Sequence, residues 1–206
     1  GRVIALELAR KGCFVLVNCA NNPDNAQKVV DEITAAGGRA EVKICPVNDE
    51  KAVNELFATA GRIDILVNNA RLDPWRRSPD LTEGEWRSQV MDVNLKGAFL
   101  TSLAFFEHAK SYGWGRIVNM ASVRSFRPAE MNTIAYSASK VGMHALTRAF
   151  AENGAKYNIT ANTVCPGMIV TENIHKRLSA EKYAEESAAI PLGRGATSEE
   201  VADAVL

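Results

Sequence analysis

Cys13 to Cys19 (C-F-V-L-V-N-C) is an apolar run of strand length without a polar face. Such a run suits a strand covered on both sides, as in a parallel sheet with helices packed above and below it. The segments around it are helical in composition. Gly1 to Gly12 reads as an amphipathic helix closed by Gly12, and Asn22 or Asp24 caps a second helix that reaches Ala36 ahead of Gly37-Gly38. The alternation continues with strands at Ala40 to Cys45, Asp64 to Val67, Arg116 to Met120 and Asn158 to Val164. Helices are expected over about Glu50 to Thr59, from Thr82 through Val90, and over 95–112 and 135–155, with a helical flap from Glu172 to Ala189. Thr82 with Glu85, and Thr197 with Glu200, have the spacing of capping boxes, and Trp86 is expected to face the core. At 206 residues, 47% apolar with scattered Gly and Pro, the chain suits one α/β domain, residues 1–206, with a sizeable core.

Charge narrows the partners. Twenty-four basic and twenty-four acidic side chains cancel, so no basic field points to nucleic acid or a lipid surface, and a small molecule is the expected partner. No apolar run is long enough to span a bilayer, and no signal peptide is recognisable. Cys13, Cys19, Cys45 and Cys165 form no C-x-x-C and fall mostly in apolar runs, the pattern of free thiols in a reducing compartment, so a cytoplasmic setting is expected. His108, His144 and His175 sit in no ligand-spaced cluster, so no metal is expected.

The chemistry centres on Tyr136 and Lys140. Four residues apart in a helical segment, they project from one face. An ammonium about 4 Å from a phenolate contributes roughly 4 kcal/mol at an effective dielectric near 20, enough to make a tyrosine a usable proton donor or acceptor near neutral pH. Ser122 stands upstream, beyond the loop of Arg124 to Thr133. Ser125 lies too far into that loop to replace it, and Ser137 and Ser139 are turned off the Tyr-Lys face.

These residues have company: G-R-I-V-N-M-A-S ending at Ser122, D-V-N-L-K-G around Asn94, D-I-L-V-N-N-A ending at Ala70, and C-P-G-M-I-V-T from Cys165 to Thr171. In this order and at these distances the motifs resemble the short-chain dehydrogenase/reductase family over essentially the whole chain. The resemblance implies a Rossmann-type α/β fold, a doubly wound parallel sheet with helices on both faces, that moves hydride between NAD(P) and a carbonyl or secondary alcohol carbon. It gives Ser122, Tyr136, Lys140 and Asn94 the catalytic roles. Ser122 binds the carbonyl oxygen, Tyr136 transfers the proton, Lys140 supports the tyrosine and holds the nicotinamide ribose, and Asn94 interrupts helical regularity and supports a proton relay. The cofactor would meet Gly1, Ala20, Asn21, Val47, Asn69, Ala70, Tyr136, Lys140, Pro166, Gly167, Ile169 and Thr171. Cys19-Ala20-Asn21-Asn22 offers no carboxylate to repel a 2′-phosphate, which favours NADP(H) over NAD(H). The long helices 95–112 and 135–155 would pair chains into a homodimer or homotetramer, with Ala98 and Phe105 partly exposed in a lone chain.

The chain also departs from the family pattern. Gly1 matches the last glycine of the phosphate-binding loop, so the fold is expected to be truncated at both ends. The first strand and most of the loop would precede Gly1, and the last strand would follow Leu206. The doubly wound order places that first strand between Cys13 to Cys19 and Asp64 to Val67, so an interrupted or collapsed sheet is expected there. Pro46 replaces an Asp or Asn that contacts adenine, and Val47 is either an adenine contact or a core valine. Arg71 replaces a glycine and takes room near the cofactor ribose; Arg71, Arg76 and Arg77 are read as solvated loop residues, with an anionic substrate or a cofactor phosphate as the alternative. A non-catalytic nucleotide sensor or scaffold is the second reading of the whole, and an epimerase or dehydratase of a related longer family the third. Substrate identity stays open.

Overall fold

The computed structural model describes residues 1–75, 77–127, 129–171, 174 and 178–206. The expectations for Arg76, Glu172 and His175 fall outside the described residues. Among the described residues five parallel strands form two ribbons. In one, β1 (Phe14–Cys19) pairs with β2 (Arg39–Ile44), Phe14 opposite Arg39. In the other, β3 (Ile65–Asn68), β4 (Gly115–Met120) and β5 (Ile159–Val164) lie in the order β3-β4-β5. No ladder joins β1 to β3, so the sheet is interrupted at the place expected from topology.

The helices are α1 (Arg2–Arg10), α2 (Asp24–Ala35), α3 (Glu50–Thr59), α4 (Glu83–Met91), α5 (Gly97–Lys110), α6 (Ile134–Gly154), α7 (Ala180–Ala188) and α8 (Ser198–Asp203). Both capping boxes form, at Thr82 with Glu85 and at Thr197 with Glu200. Helix α1 ends before Gly12, whose φ of +92° a side chain would strain. Helix α2 departs from expectation at its start. Pro23 takes the cap position without a side-chain cap, and Asn22 Oδ1 accepts from the Asp24 N–H at 2.9 Å. Its fixed φ suits proline to a helix start.

Apolar packing joins the two ribbons through α1. Ile4 packs with Val118, Met120 and Ala202, while Ala9, further along the same helix, packs with Val15, Val29 and Ile33. The larger core gathers Val53, Phe57, Leu100, Phe105, Ile117, Phe150 and Ile159 between α3, α5, α6 and the three-stranded ribbon. Trp86 is buried, as expected. Ala98 and Phe105 are buried too, which corrects the expectation that they are partly exposed. Phe105 is 0% exposed, with Phe57 edge-on at 6.3 Å. Large apolar side chains of these long helices that face outward include Phe99, Leu103, Ile134 and Val141, at 42%, 39%, 41% and 51% exposure.

Candidate active site

The carboxyl ends of β3 and β4 and the first turns of α6 carry Asn69, Ala70, Ser122, Tyr136 and Lys140 of the expected site. Met120 closes β4, and the Ala121 N–H donates to the Val164 carbonyl at 2.8 Å, which fixes the chain just before Ser122. The Ser122 Oγ is buried and accepts from the Arg124 N–H at 3.2 Å, starting a short turn, Val123–Ser125, that packs on α6. The Val123 N–H donates to the Pro166 carbonyl at 3.0 Å, tying the serine loop to the Cys165–Pro166–Gly167 loop.

Lys140 is 1% exposed. Its Nζ donates to the Met120 carbonyl at 2.6 Å and approaches Met143 Sδ at 3.7 Å. The same Nζ lies 5.6 Å from the centre of the Tyr136 ring, so the i,i+4 pair shares a face as expected. Among the described residues no carboxylate pairs with this ammonium. Burial, then the Arg71 charge, lower the Lys140 pKa to about 8, against a smaller opposing effect of Cys165. Tyr136 is half-buried, with the Trp75 ring 6.5 Å away centre to centre.

Asn94 sits in an interruption of helical regularity, as expected. The rod from α4 to α5 is continuous, and Asp92–Lys96 forms a π-turn within it, the irregularity expected of this asparagine. Fully buried, Asn94 accepts from the Leu72 N–H at 2.8 Å through Oδ1, and its Nδ2 points to Ser139 Oγ at 3.5 Å. Ser139 Oγ in turn donates to the Tyr136 carbonyl at 2.6 Å. Ser139, set aside as off the Tyr-Lys face, therefore links Asn94 to the tyrosine backbone. Its position three residues after Tyr136 was the available signal, because a helical serine commonly bonds back to the preceding turn.

A buried polar network supports these strand ends. Asn68 Nδ2 donates to Ser102 Oγ and to Asn119 Oδ1, both at 2.8 Å, and Asn68 Oδ1 accepts from Thr101 Oγ1 at 2.7 Å. Asn119 Nδ2 donates to Thr147 Oγ1 at 2.8 Å, which meets Thr163 Oγ1 at 2.6 Å. The network crosses β3, α5, β4, α6 and β5, and a satisfied network of this kind holds the strand ends in register.

The expected cofactor contacts are more spread out. Gly1 lies against Asn69, where a methyl group on Gly1 would come within 2.8 Å of Asn69 Nδ2. Ala20 and Asn21 are exposed at the end of β1, on the other ribbon, and Asn69 and Ala70 are exposed at the end of β3. Val47 is half-buried and packs so tightly on Gly97 that a methyl there would lie 2.7 Å from Val47 Cγ2. Past Pro166 and the exposed Gly167, Ile169 bridges to Ala196, with the Val170 N–H donating to Ala196 O at 2.8 Å. Thr171 is exposed. A buried ammonium without a carboxylate partner, glycine at the start of α1 and exposed strand ends fit a dinucleotide that brings ribose hydroxyls and phosphates. The four cysteines are free thiols, and Cys165 Sγ lies 3.8 Å from His144 Nε2.

Comparison with known proteins agrees with this geometry. The model of the short chain dehydrogenase family matches residues 1–182. An acetoacetyl-CoA reductase of Rhizobium meliloti is 38% identical over 146 residues, covering 70% of this chain and 59% of that protein. The peroxisomal hydratase-dehydrogenase-epimerase of Saccharomyces cerevisiae is 36% identical over 199 residues, covering 88% of this chain but 22% of that protein. The chain thus spans less than two thirds of either curated relative. A solved structure described as an NAD(P) dependent gluconate 5-dehydrogenase from Beutenbergia cavernae, with bound NADP at low occupancy, superimposes with a TM-score of 0.87 at 39% identity, covering 100% of this chain and 83% of that one. With parallel strands, the buried lysine beside a tyrosine and these matches in agreement, the chain belongs to the short chain dehydrogenase family.

Proposed function

We propose that the protein transfers hydride between NAD(P)(H) and a carbonyl or secondary alcohol carbon, with Ser122, Tyr136, Lys140 and Asn94 as its working residues. The observation that carries this is the placement of Lys140: buried, without a carboxylate, 5.6 Å from the Tyr136 ring and bonded to the strand end that leads into Ser122. The nicotinamide would supply the hydride. In the reductive direction the Ser122 hydroxyl donates to the carbonyl oxygen, and the Tyr136 phenol gives its proton to that oxygen as negative charge develops there. Lys140 holds ribose hydroxyls and stabilises the phenolate left behind. Asn94 orders the helix turn beneath Tyr136 through Ser139 and supports the return of the proton.

Gly1, Asn69 and Ala70 would receive the diphosphate and ribose, Ala20 and Asn21 the adenosine ribose, Val47 the adenine, and Pro166, Gly167, Ile169 and Thr171 the nicotinamide. The exposed Ala20-Asn21 corner, free of carboxylate, favours NADP(H), and the bound NADP of the gluconate 5-dehydrogenase is consistent with that. The relatives named above act on unlike compounds, so the reading stops at the reaction class. We place the working protein in a reducing, cytoplasmic setting as a homodimer or homotetramer joined by the outward faces of α5 and α6. Among the described residues no helix is long and apolar enough to cross a membrane.

Tyr136→Phe in the full-length protein is the test. Turnover should fall at least 1,000-fold while NAD(P)H affinity holds within about twofold, because one proton donor is lost and little volume. Near-normal turnover in this variant would remove the proposal. A wild-type protein that binds NADPH and reduces nothing across a broad carbonyl panel would be the sensor or scaffold of the second reading.

A further inference from the structure

Arg71 stands where the family pattern has glycine, and the structure ties its loop in place. The next residue, Leu72, donates its N–H to the fully buried Asn94 Oδ1 at 2.8 Å, so the backbone beside Arg71 is anchored to the π-turn. Two residues before Arg71, Asn69 lies against Gly1 at the start of α1, a helix of nine residues. Arg71 thus follows directly on the segment that touches the amino-terminal end of that helix, where unpaired backbone N–H groups favour an anion.

The arginine is exposed, and among the described residues no carboxylate pairs with it. Its neighbours on the rim differ. Arg77 and Arg87 both pair with Glu83, and Arg124 pairs with Glu130. After burial, the charge of Arg71 is the next cause that lowers the Lys140 pKa. Among the described residues, then, neither the Arg71 guanidinium nor the Lys140 ammonium meets a carboxylate, which leaves both open to an anion.

We propose that Arg71 is an anion clamp for the diphosphate of the dinucleotide. Guanidinium groups suit the role because their fork of donors matches phosphate oxygens. The diphosphate is favoured over a substrate anion because the anchored backbone places Arg71 two residues from Asn69, which touches the start of α1. The inference rests on the dinucleotide reading above, and its test does not depend on turnover.

The full-length protein and its Arg71→Gln, Arg71→Gly and Arg71→Lys variants would be titrated with NADPH, NADH and ADP-ribose by fluorescence or calorimetry. The expected result is a loss of about tenfold to 100-fold for all three ligands in Arg71→Gln and Arg71→Gly, with a smaller loss in Arg71→Lys. The affinity of the wild type should also fall more steeply with salt than that of Arg71→Gln. Tighter binding by Arg71→Gly would show that the side chain merely crowds the ribose and would overturn the proposal. A loss confined to NADPH would move Arg71 to the 2′-phosphate and overturn it as well. Unchanged affinities with a raised KM for a carboxylate substrate would reassign the arginine to substrate. If the wild type lacks activity but the three losses appear, the clamp stands and the catalytic reading fails.

Discussion

The Lys140 Nζ donates a 2.6 Å hydrogen bond to the carbonyl oxygen of Met120, two residues before Ser122. One bond thereby fixes the side chain that faces Tyr136 and the strand end that delivers the serine. Lys140→Ala should consequently damage more than one step. We expect turnover to fall at least 100-fold and NAD(P)H affinity to fall about tenfold. Cofactor affinity equal to wild type would show that Lys140 does not hold the ribose.

The same lysine makes stability depend on pH. Its pKa drops from 10.5 in the unfolded chain to about 8 in the folded one. Between those values the unfolded chain binds more protons, so the Lys140 contribution is most favourable above 10.5 and is lost as pH falls through 8. The full effect is of order 3 kcal/mol. The stability of wild type minus that of Lys140→Met, from urea unfolding, should rise between pH 8 and pH 10.5 and be level below about 7. A flat difference throughout would contradict burial of the ammonium.

Asn94→Ala removes the acceptor of the Leu72 N–H and the partner of Ser139 together. A loss of about 1 to 3 kcal/mol in stability is expected from buried groups left without partners. Turnover should fall further than that alone explains, and hydrogen exchange should quicken at Leu72. Protection of Leu72 equal to wild type would mean that the tether seen here does not hold the loop.

Phe99 and Val141 stand exposed on α5 and α6. If these faces join subunits, Phe99→Glu with Val141→Glu should dissociate a dimer or tetramer in light scattering without unfolding the chain. A wild-type protein that is already monomeric would dispose of the proposed assembly.

Features that depend on near neighbours were legible from the chain alone. The capping boxes at Thr82 and Thr197, the strand in Cys13 to Cys19 and the shared face of Tyr136 and Lys140 are set within one or two helix turns or by the apolar composition of one short run. The strand is not covered on both sides as expected, however: only Val15 is buried and Phe14 is exposed. The break between β1 and β3 was legible too, because crossover handedness constrains strand order. The burial of Phe105 was misjudged, since helix periodicity shows that a helix has an apolar face but not which neighbour covers it.

By itself, then, the sequence determined the α/β alternation, the strand ends that carry the candidate site and the spacing of Ser122, Tyr136 and Lys140. Tertiary structure decided which polar side chains turn inward and whom they meet. Asn68 bonds to Asn119 across 51 residues, Leu72 to Asn94 across 22, and Lys140 to Met120 across 20. No local pattern encodes such partners, because a buried donor takes whichever acceptor the packed elements bring within about 3 Å. The setting of Arg71 has the same origin: the residue is visible in the chain, but the anchored loop and the buried lysine near it exist only once the elements pack.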